Sequence, residues 1–242
     1  MLKRSGFAIF GIIGAMDREI DLFIEKLEDV QIYSKAHMDF FCGNFQGERL
    51  VAVKSGVGKV NAACCTQILI DKYKPKAIFC TGVAGALRED LDFNDTVISR
   101  DVVQYDVDAS CFGHEPGEIP NLGIKAFKAS NELIEIARSA HQQIFKNNRI
   151  VIGRILTGDQ FISSPEKSHI IRTKFNGDCV EMEGGAIGQV CYLNDIPFLI
   201  IRSISDKADG TAVHDYKTFV DESAKKSFKL ISSMIKMLDK KV

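Results

Sequence analysis

The sequence predicts an α/β protein in three layers (α/β/α), with a central mixed, largely parallel twisted sheet between helices. Short apolar runs alternate along the chain with segments whose apolar residues recur at helical spacing. The apolar runs show little alternation with polar residues, which is typical of strands buried on both faces. We see no internal repeat, low-complexity segment or linker in the 242 residues. We therefore expect a single domain over residues 1–242.

The first elements are two strand patterns separated by a helix pattern. Residues 7–13 form a run rich in Ile and Phe, which predicts a buried strand. Residues 18–27 carry apolar side chains at helical spacing. Residues 39–45 and 49–54 flank Gln46-Gly47, a pair of turn-forming residues, so we expect a β-hairpin there.

The middle of the chain begins with a helix pattern at residues 60–72, after a glycine loop. A short strand pattern at 77–80 runs into Thr81-Gly-Val-Ala-Gly85, where we expect the backbone to turn tightly. Residues 96–98 and 102–103 predict two strand segments. The stretch 105–123 is rich in Gly and Pro, and long irregular loops of this kind often serve function.

The last elements alternate strand and helix. Apolar runs at 150–156 and 198–203 predict strands, and Ser130 is a good helix cap before an amphipathic segment. The helix patterns cover residues 130–145, 165–174, 184–193 and 216–238.

Charge and cysteine content limit the function. The net charge of −1 offers no electrostatic footprint for nucleic acid or an anionic membrane, so we expect a small, nearly neutral substrate. The basic start at Lys3-Arg4 imitates an export signal, but the apolar run is short and no cleavage pattern follows. The seven cysteines are odd in number, form no Cys-x-x-Cys pair and mostly have apolar neighbours, so we expect small buried side chains in a reducing cytoplasm. The scattered histidines and cysteines predict no metal site and no cofactor.

Polar motifs follow several apolar runs, where ligands bind in α/β sheets. Asp206 ends one such run and is either a general acid or a helix cap. Glu181 and Glu183 would share one face of a strand, either as ligands for a sugar diol or on a surface edge. The loop containing Gly56 and Gly58 lacks the spacing of a phosphate-binding loop. We expect Lys59 in it to face solvent or cap a carbonyl.

Six motifs together resemble the 5′-methylthioadenosine/S-adenosylhomocysteine nucleosidases, within the purine nucleoside phosphorylase and uridine phosphorylase superfamily. The resemblance runs from about residue 7 to the terminal helix. It implies a nucleoside phosphorylase-like fold, hydrolysis of an N-glycosidic bond and a place in methionine salvage. The motifs are GIIGAMDRE at 11–19, KSGVGKV at 54–60, TGVAG at 81–85, TGDQFI at 157–162, VEME at 180–183 and RSISD at 202–206.

The resemblance also implies roles for single residues. Asp206 matches the acid that protonates adenine, Glu19 the base that activates water, and Glu183 the residue that holds the ribose hydroxyls. Tyr216 stands where the family usually has Phe, and Val83 where some relatives have Ser. The remaining matches are Met182 under the sugar, Phe161 on the adenine ring, the Ile162 backbone at the purine edge, Arg202 and Ser205 supporting the acid, and Ala84, Gly85, Met16 and Val57 around the pocket.

The stretch 105–123 gains a purpose from the same resemblance. Ala109, Phe112 and Pro120 match a loop that the family lends to the partner subunit's active site. We therefore expect a homodimer in which each subunit closes the alkylthio end of the other's pocket. The motifs leave open the preference among methylthioadenosine, S-adenosylhomocysteine and 5′-deoxyadenosine.

Three other functions compete with this interpretation. A phosphorylase of the same fold would need phosphate-binding arginines near the early loops, where this sequence has Glu19. A nucleosidase acting on aminodeoxyfutalosine would share the adenine and ribose contacts and differ only at the alkyl end. An idle nucleoside-binding or surface-adhesion protein would have no need for the three carboxylates.

Overall fold

The computed structural model describes residues 9–145 and 149–239, and these residues contain ten strands and six α-helices. Residues 7 and 8 of the first predicted strand lie outside this range. The strands are β1 (Ile9–Gly14), β2 (Glu28–Lys35), β3 (Met38–Phe45), β4 (Glu48–Lys54), β5 (Ala77–Ala86), β6 (Thr96–Gln104), β7 (Phe127–Lys128), β8 (Ile150–Thr157), β9 (Cys179–Glu181) and β10 (Phe198–Asp206). The helices are α1 (Asp17–Ile24), α2 (Lys59–Tyr73), α3 (Asn131–Ile144), α4 (Pro165–Phe175), α5 (Gly184–Leu193) and α6 (Ala212–Asp239).

The strands pair into one mixed sheet that is open at one end and closed at the other. From the open edge the order is β2-β3-β4-β1-β5. Strand β5 then pairs with both β9 and β10, while β10 pairs with β6, β6 with β8 and β8 with β9. Five strands therefore form a closed ring. The predicted α/β class, with a mixed sheet and helices packed on it, is confirmed.

Local sequence signals explain several of these elements. Gln46 and Gly47 both have positive φ (56° and 95°), as a two-residue turn between β3 and β4 requires. The Ser130 side chain accepts a hydrogen bond from the Leu133 amide and caps α3. The predicted hairpin and the predicted cap are both confirmed.

The strands β5 and β10 run further than the sequence predicts. The tight turn expected at residues 81–85 is wrong, because this segment continues β5 and pairs in parallel with β10. Gly82 and Gly85 instead let carboxyl groups approach the backbone of β5 closely. A Cβ on Gly82 would lie 2.6 Å from the Glu19 Oε1 atom, and one on Gly85 would lie 2.7 Å from the Asp206 Oδ1 atom.

Four strands differ from the prediction because they carry polar residues or are short. The two predicted segments around residues 96–103 are one strand, β6, in which the buried Asp101 pairs with Arg154 of β8. Strand β2 is polar and mostly exposed, and pairing with β3 rather than burial keeps it extended. Strands β7 and β9 have two and three residues, too few for a periodic pattern.

The helices cover the sheet with apolar faces. Helix α1 buries Ile20 and Phe23, and α6 packs on β10, β5 and α1. Helices α2 and α5 pack against each other. Among the described helices, none is both long and apolar enough to cross a membrane.

Candidate functional site

A cavity of about 290 Å³ opens where β1, β5 and β10 end. These strands are parallel neighbours, so their carboxyl ends meet at one edge of the sheet, the usual ligand site in such folds. The residues that line the cavity come from seven places along the chain: Ala15, Met16, Glu19, Val57, Val83, Ala84, Gly85, Phe161, Val180, Glu181, Met182, Glu183, Ser205, Asp206 and Tyr216.

Asp206 is the last residue of β10 and is almost fully buried. Its Oδ1 atom accepts a hydrogen bond from the Ala208 amide, and its Oδ2 atom accepts one from the Ser205 hydroxyl, both at 2.9 Å. Burial outweighs these bonds and raises the pKa of the Asp206 carboxyl above its usual value. The side chain is thus fixed in orientation and disposed to keep a proton, as a general acid must.

Glu19 lies in the first turn of α1, directly after β1. Its Oε2 atom accepts hydrogen bonds from the amides of Ala15 (2.6 Å) and Met16 (3.1 Å), which are free donors at the helix start. Burial raises the pKa of the Glu19 carboxyl, and the nearby charge of Arg202 opposes that shift. With Oε2 held by the backbone, Glu19 presents a fixed basic group to the cavity.

Glu183 does not share a strand face with Glu181, contrary to the sequence-based expectation. Strand β9 ends at Glu181, and Glu183 is the residue that precedes α5. Its Oε1 atom accepts a hydrogen bond from the Gly58 amide at 2.8 Å. Burial, and then the charge of Glu181, raise the pKa of Glu183 to about 7. The remaining lone pairs are available to hydroxyl groups of a ligand.

The structural role of Glu181 was not predicted from the sequence. It is buried and forms an ion pair with the buried guanidinium of Arg202, while its Oε2 atom accepts the amides of Glu183 and Gly184. Arg202 also lies 3.7 Å from the Glu183 carboxylate. The expected support of Asp206 by Arg202 is therefore not what the contacts show: Arg202 organises Glu181 and Glu183. The sequence signal was limited to a charged residue next to each apolar run, and it did not show that Glu181 and Arg202 are partners.

Apolar side chains form the walls of the cavity. The Phe161 ring is 47% exposed and lies edge-to-face with the Tyr216 ring at 6.0 Å between centroids. The Tyr216 hydroxyl is 2.8 Å from the Met16 sulfur. Ile162 is buried in a small adjoining cavity with Phe161, Gly85 and Asp206. The walls can thus enclose a flat ring between Phe161 and β5.

The positions from the resemblance fall into two groups. Val83, Ala84 and Gly85 line the cavity through β5, and Met16, Val57, Met182, Ser205 and Tyr216 line it as well. Ala109, Phe112 and Pro120 are not among the residues that line it. Phe112 is 84% exposed, in a short 3₁₀ turn at Ser110–Phe112. That these three residues contribute to the active site of a partner subunit remains a prediction.

The chemistry of this lining is acidic and apolar. Of the described residues around the cavity, none is an arginine or a lysine. Within the described residues, no group of three His, Cys, Asp or Glu side chains is arranged to hold a metal ion. The site therefore offers buried carboxyl groups for acid–base work on a small ligand.

Comparison with known proteins places the chain in a family. Residues 9–236 match the family model of the phosphorylase superfamily. The curated 5′-methylthioadenosine/S-adenosylhomocysteine nucleosidase of Staphylococcus haemolyticus (strain JCSC1435) is 41% identical over 231 residues, which cover 95% of this chain and 100% of that protein.

Two solved structures show the same fold. The nucleosidase of Colwellia psychrerythraea 34H, solved in complex with adenine, is 37% identical with a TM-score of 0.90, and the match covers 94% of each chain. The futalosine hydrolase of Helicobacter pylori strain 26695 is 31% identical with a TM-score of 0.90, covering 96% of this chain and 98% of that one.

The resemblance seen in the six motifs is thus confirmed over nearly the whole chain by sequence and by structure. The match is well above the similarity at which fold alone is shared. The protein belongs to the phosphorylase superfamily and, within it, to the 5′-methylthioadenosine/S-adenosylhomocysteine nucleosidases, which are hydrolases of N-glycosidic bonds.

Proposed function

We propose that this protein hydrolyses the N-glycosidic bond of 5′-methylthioadenosine and of S-adenosylhomocysteine, releasing adenine and the thioribose product. The observation that carries the proposal is the meeting of Glu19, Glu183 and Asp206 at one cavity, each buried and each held by its own hydrogen bonds. Three carboxyl groups with separate anchors can take three separate roles.

Asp206 supplies the proton that the leaving group needs. Adenine is a poor leaving group as an anion, and a proton on its imidazole ring lets it depart neutral with the electrons of the broken bond. The raised pKa of Asp206 favours a proton on this carboxyl closer to neutral pH. Ser205 and Ala208 hold both of its oxygens and so aim the acid.

Glu19 orients the water and accepts its proton as the hydroxyl adds to the ribose carbon. Hydrolysis of this kind passes through an oxocarbenium-like state, which a carboxylate also stabilises by charge. The backbone amides of Ala15 and Met16 hold the Glu19 Oε2 atom, and the Val83 backbone also hydrogen-bonds to the carboxylate. The water would be accepted by the remaining lone pairs of the carboxylate. The other product is the free sugar.

Nucleoside binding uses the rest of the lining. Glu183 accepts the ribose hydroxyls, Met182 packs under the sugar, and Phe161 stacks on adenine. The backbone of Ile162 meets the purine edge, while Met16, Val57 and Tyr216 contact the ribose and the thioalkyl tail. Val83, Ala84 and Gly85 form the β5 wall.

Water is favoured over phosphate as the attacking group. A phosphate would need cationic side chains or free backbone amides, and the described lining has no arginine or lysine. The amides of Ala15 and Met16 already donate to Glu19. A carboxylate at this place repels an anion and suits a water molecule.

The experiment is adenine release by the purified protein in phosphate-free buffer. We expect turnover of both thio-nucleosides that is unchanged when phosphate is added. Strict dependence on phosphate would make the protein a phosphorylase. No release from either nucleoside would reject the proposal.

Aminodeoxyfutalosine is a second candidate substrate, favoured by the similarity to the futalosine hydrolase of Helicobacter pylori. It shares the adenine and ribose groups and differs only in the tail. Comparing kcat/KM for aminodeoxyfutalosine, 5′-deoxyadenosine and the two thio-nucleosides ranks them in one assay.

We further propose a homodimer located in the cytoplasm. Exposed apolar residues on the paired helices α2 and α5, and at the tip of the 105–123 loop, fit a surface that another subunit covers. All seven cysteines are free, and Cys64 and Cys111 are exposed, as suits a reducing compartment.

A further inference from the structure

Three charged residues close a ring of hydrogen bonds beside the cavity. The Lys59 amide donates to the Asp159 Oδ1 atom (2.8 Å), and the Asp159 amide donates to the Asp106 Oδ2 atom (3.1 Å). The Lys59 ammonium completes the ring by donating to the Asp106 Oδ1 atom at 2.6 Å. The ring joins segments that are 47 to 100 residues apart in sequence.

This ring sits at the start of α2, where helix amides lack partners inside the helix. Gly58 precedes the helix with φ of 96° and provides no side-chain cap. Two carboxylates that are distant in sequence cap the helix instead. Glu183 accepts a hydrogen bond from the Gly58 amide, and Asp159 accepts one from the Lys59 amide. Negative charge is favoured there by the helix dipole.

The two carboxylates lie at or near different contacts of the proposed nucleoside site. Glu183 is the proposed ribose residue. Asp159 lies two residues before Phe161, the proposed adenine-stacking residue. The start of α2 therefore links the residue of the sugar contact to the segment of the purine contact.

Lys59 is the cation of this assembly. Its side chain is only 18% exposed and that of Asp106 is 23% exposed. The expectation that Lys59 faces solvent or caps a carbonyl is wrong, because its ammonium pairs with the Asp106 carboxylate. Removing the ammonium would leave the Asp106 carboxylate with the Asp159 amide as a partner but without its cation. The segment that carries Phe161 would then move relative to Glu183.

We propose that Lys59 is a positioning residue for nucleoside binding, acting through Asp106 and Asp159 to fix Phe161 relative to Glu183. This inference rests on the proposed nucleosidase function. Glu19 and Asp206 have their own anchors outside the ring. The effect should therefore appear in binding rather than in the chemical step.

The test compares steady-state kinetics of wild type, Lys59→Met, Lys59→Arg and Asp106→Asn with methylthioadenosine. We expect Lys59→Met and Asp106→Asn each to raise KM on the order of tenfold with kcat changed less than about twofold. Lys59→Arg should restore most of the loss. The double variant should be no worse than the worse single variant. Lys72→Met is the matched control, since Lys72 is on the same helix and packs over Tyr33.

The outcomes separate this inference from the function on which it depends. A wild type that releases no adenine rejects the function and the inference together. An active wild type with unchanged KM in folded Lys59→Met, or in folded Asp106→Asn, rejects the inference alone. So does a fall in kcat at constant KM. Thermal unfolding of each variant shows which ones are folded. If Lys59→Met does not fold, the KM of Asp106→Asn decides whether the inference holds.

Discussion

At the scale of single residues, the surroundings of each carboxyl group distinguish its role. Asp206 is held by a hydroxyl and one amide, and Glu19 by two amides in a helix turn. Glu183 is held by one amide and faces the charges of Glu181 and Arg202. The same functional group, a carboxyl, thus becomes an acid, a base and a hydroxyl acceptor through different partners.

Isosteric amides test the acid and the base. Asp206→Asn and Glu19→Gln keep shape but cannot transfer a proton, so we expect each to lower kcat by about 10²- to 10⁴-fold. Adenine release gives the rate and thermal unfolding shows that the fold persists. Asp21→Asn is the control, because Asp21 is an exposed carboxylate on the same helix as Glu19. Near-normal rates in both variants would contradict the mechanism.

Glu183 gives a pH dependence to stability. Its pKa rises from 4.5 to about 7 on folding, so the folded state holds a proton that the unfolded state has lost between these values. The contribution is complete below pH 4.5 and is lost as pH rises through about 7. Relative to Glu183→Gln, wild type should lose about 3 kcal/mol of unfolding free energy between pH 4.5 and 8.

Urea unfolding of both proteins at each pH measures this difference. Parallel stability curves for wild type and Glu183→Gln would show that Glu183 ionises normally. The contributions of other titrating groups to the unfolding free energy cancel in this comparison, because both proteins carry those groups.

Most of the candidate site was predictable at this scale, and the exceptions have a physical cause. The motifs located the residues that line the cavity, because polar groups at the ends of apolar runs gather at one sheet edge. The partner of Arg202 was not predictable. Glu181 and Asp206 are both acidic and both lie in motifs at strand ends, and only the pairing of strands decides which one the guanidinium meets.

At the scale of elements, strand β5 shapes the acid site by what it lacks. Gly85 pairs with Asp206 across β5 and β10. Its missing side chain leaves room for the carboxyl group, since a Cβ would lie 2.7 Å from Oδ1 and 3.0 Å from the Ala208 Cβ. The position of the Asp206 carboxyl group therefore depends on a glycine in the neighbouring strand β5.

Gly85→Ala should therefore displace the Asp206 carboxyl and lower kcat/KM by about 10- to 100-fold. Gly210→Ala is the matched control, because a Cβ there meets no atom within 4 Å. The adenine-release assay measures both. Equal, wild-type activity in both variants would show that the acid tolerates the shift.

The elements that the sequence did not predict share a cause as well. Strand β2 and the polar centre of β6 are extended because of partners, β3 in one case and β8 and β7 in the other. Hydrophobic patterns report burial, whereas these segments depend on backbone pairing. The helices and the strands β1, β3, β4 and β8, where both agree, were predicted closely.

At the scale of the whole molecule, the proposed dimer can be tested on one exposed residue. Val60 is 80% exposed on α2, which packs on α5. We expect light scattering to give twice the chain mass of 26.8 kDa for wild type and the monomer mass for Val60→Asp. Ile32→Asp on β2 is the control, since Ile32 is also exposed. A monomeric wild type would contradict the proposal.

The closed ring of strands has a consequence for the response of the protein to heat. Asp206 pairs with Gly85 of β5, and the strand that it ends pairs with β6 at residues 201–203, so the acid is attached to the ring through both neighbouring strands. Catalysis and fold should therefore be lost together on warming. The midpoint of thermal inactivation should coincide with the calorimetric Tm, and activity lost well below Tm would show that the weakest part of the site lies elsewhere.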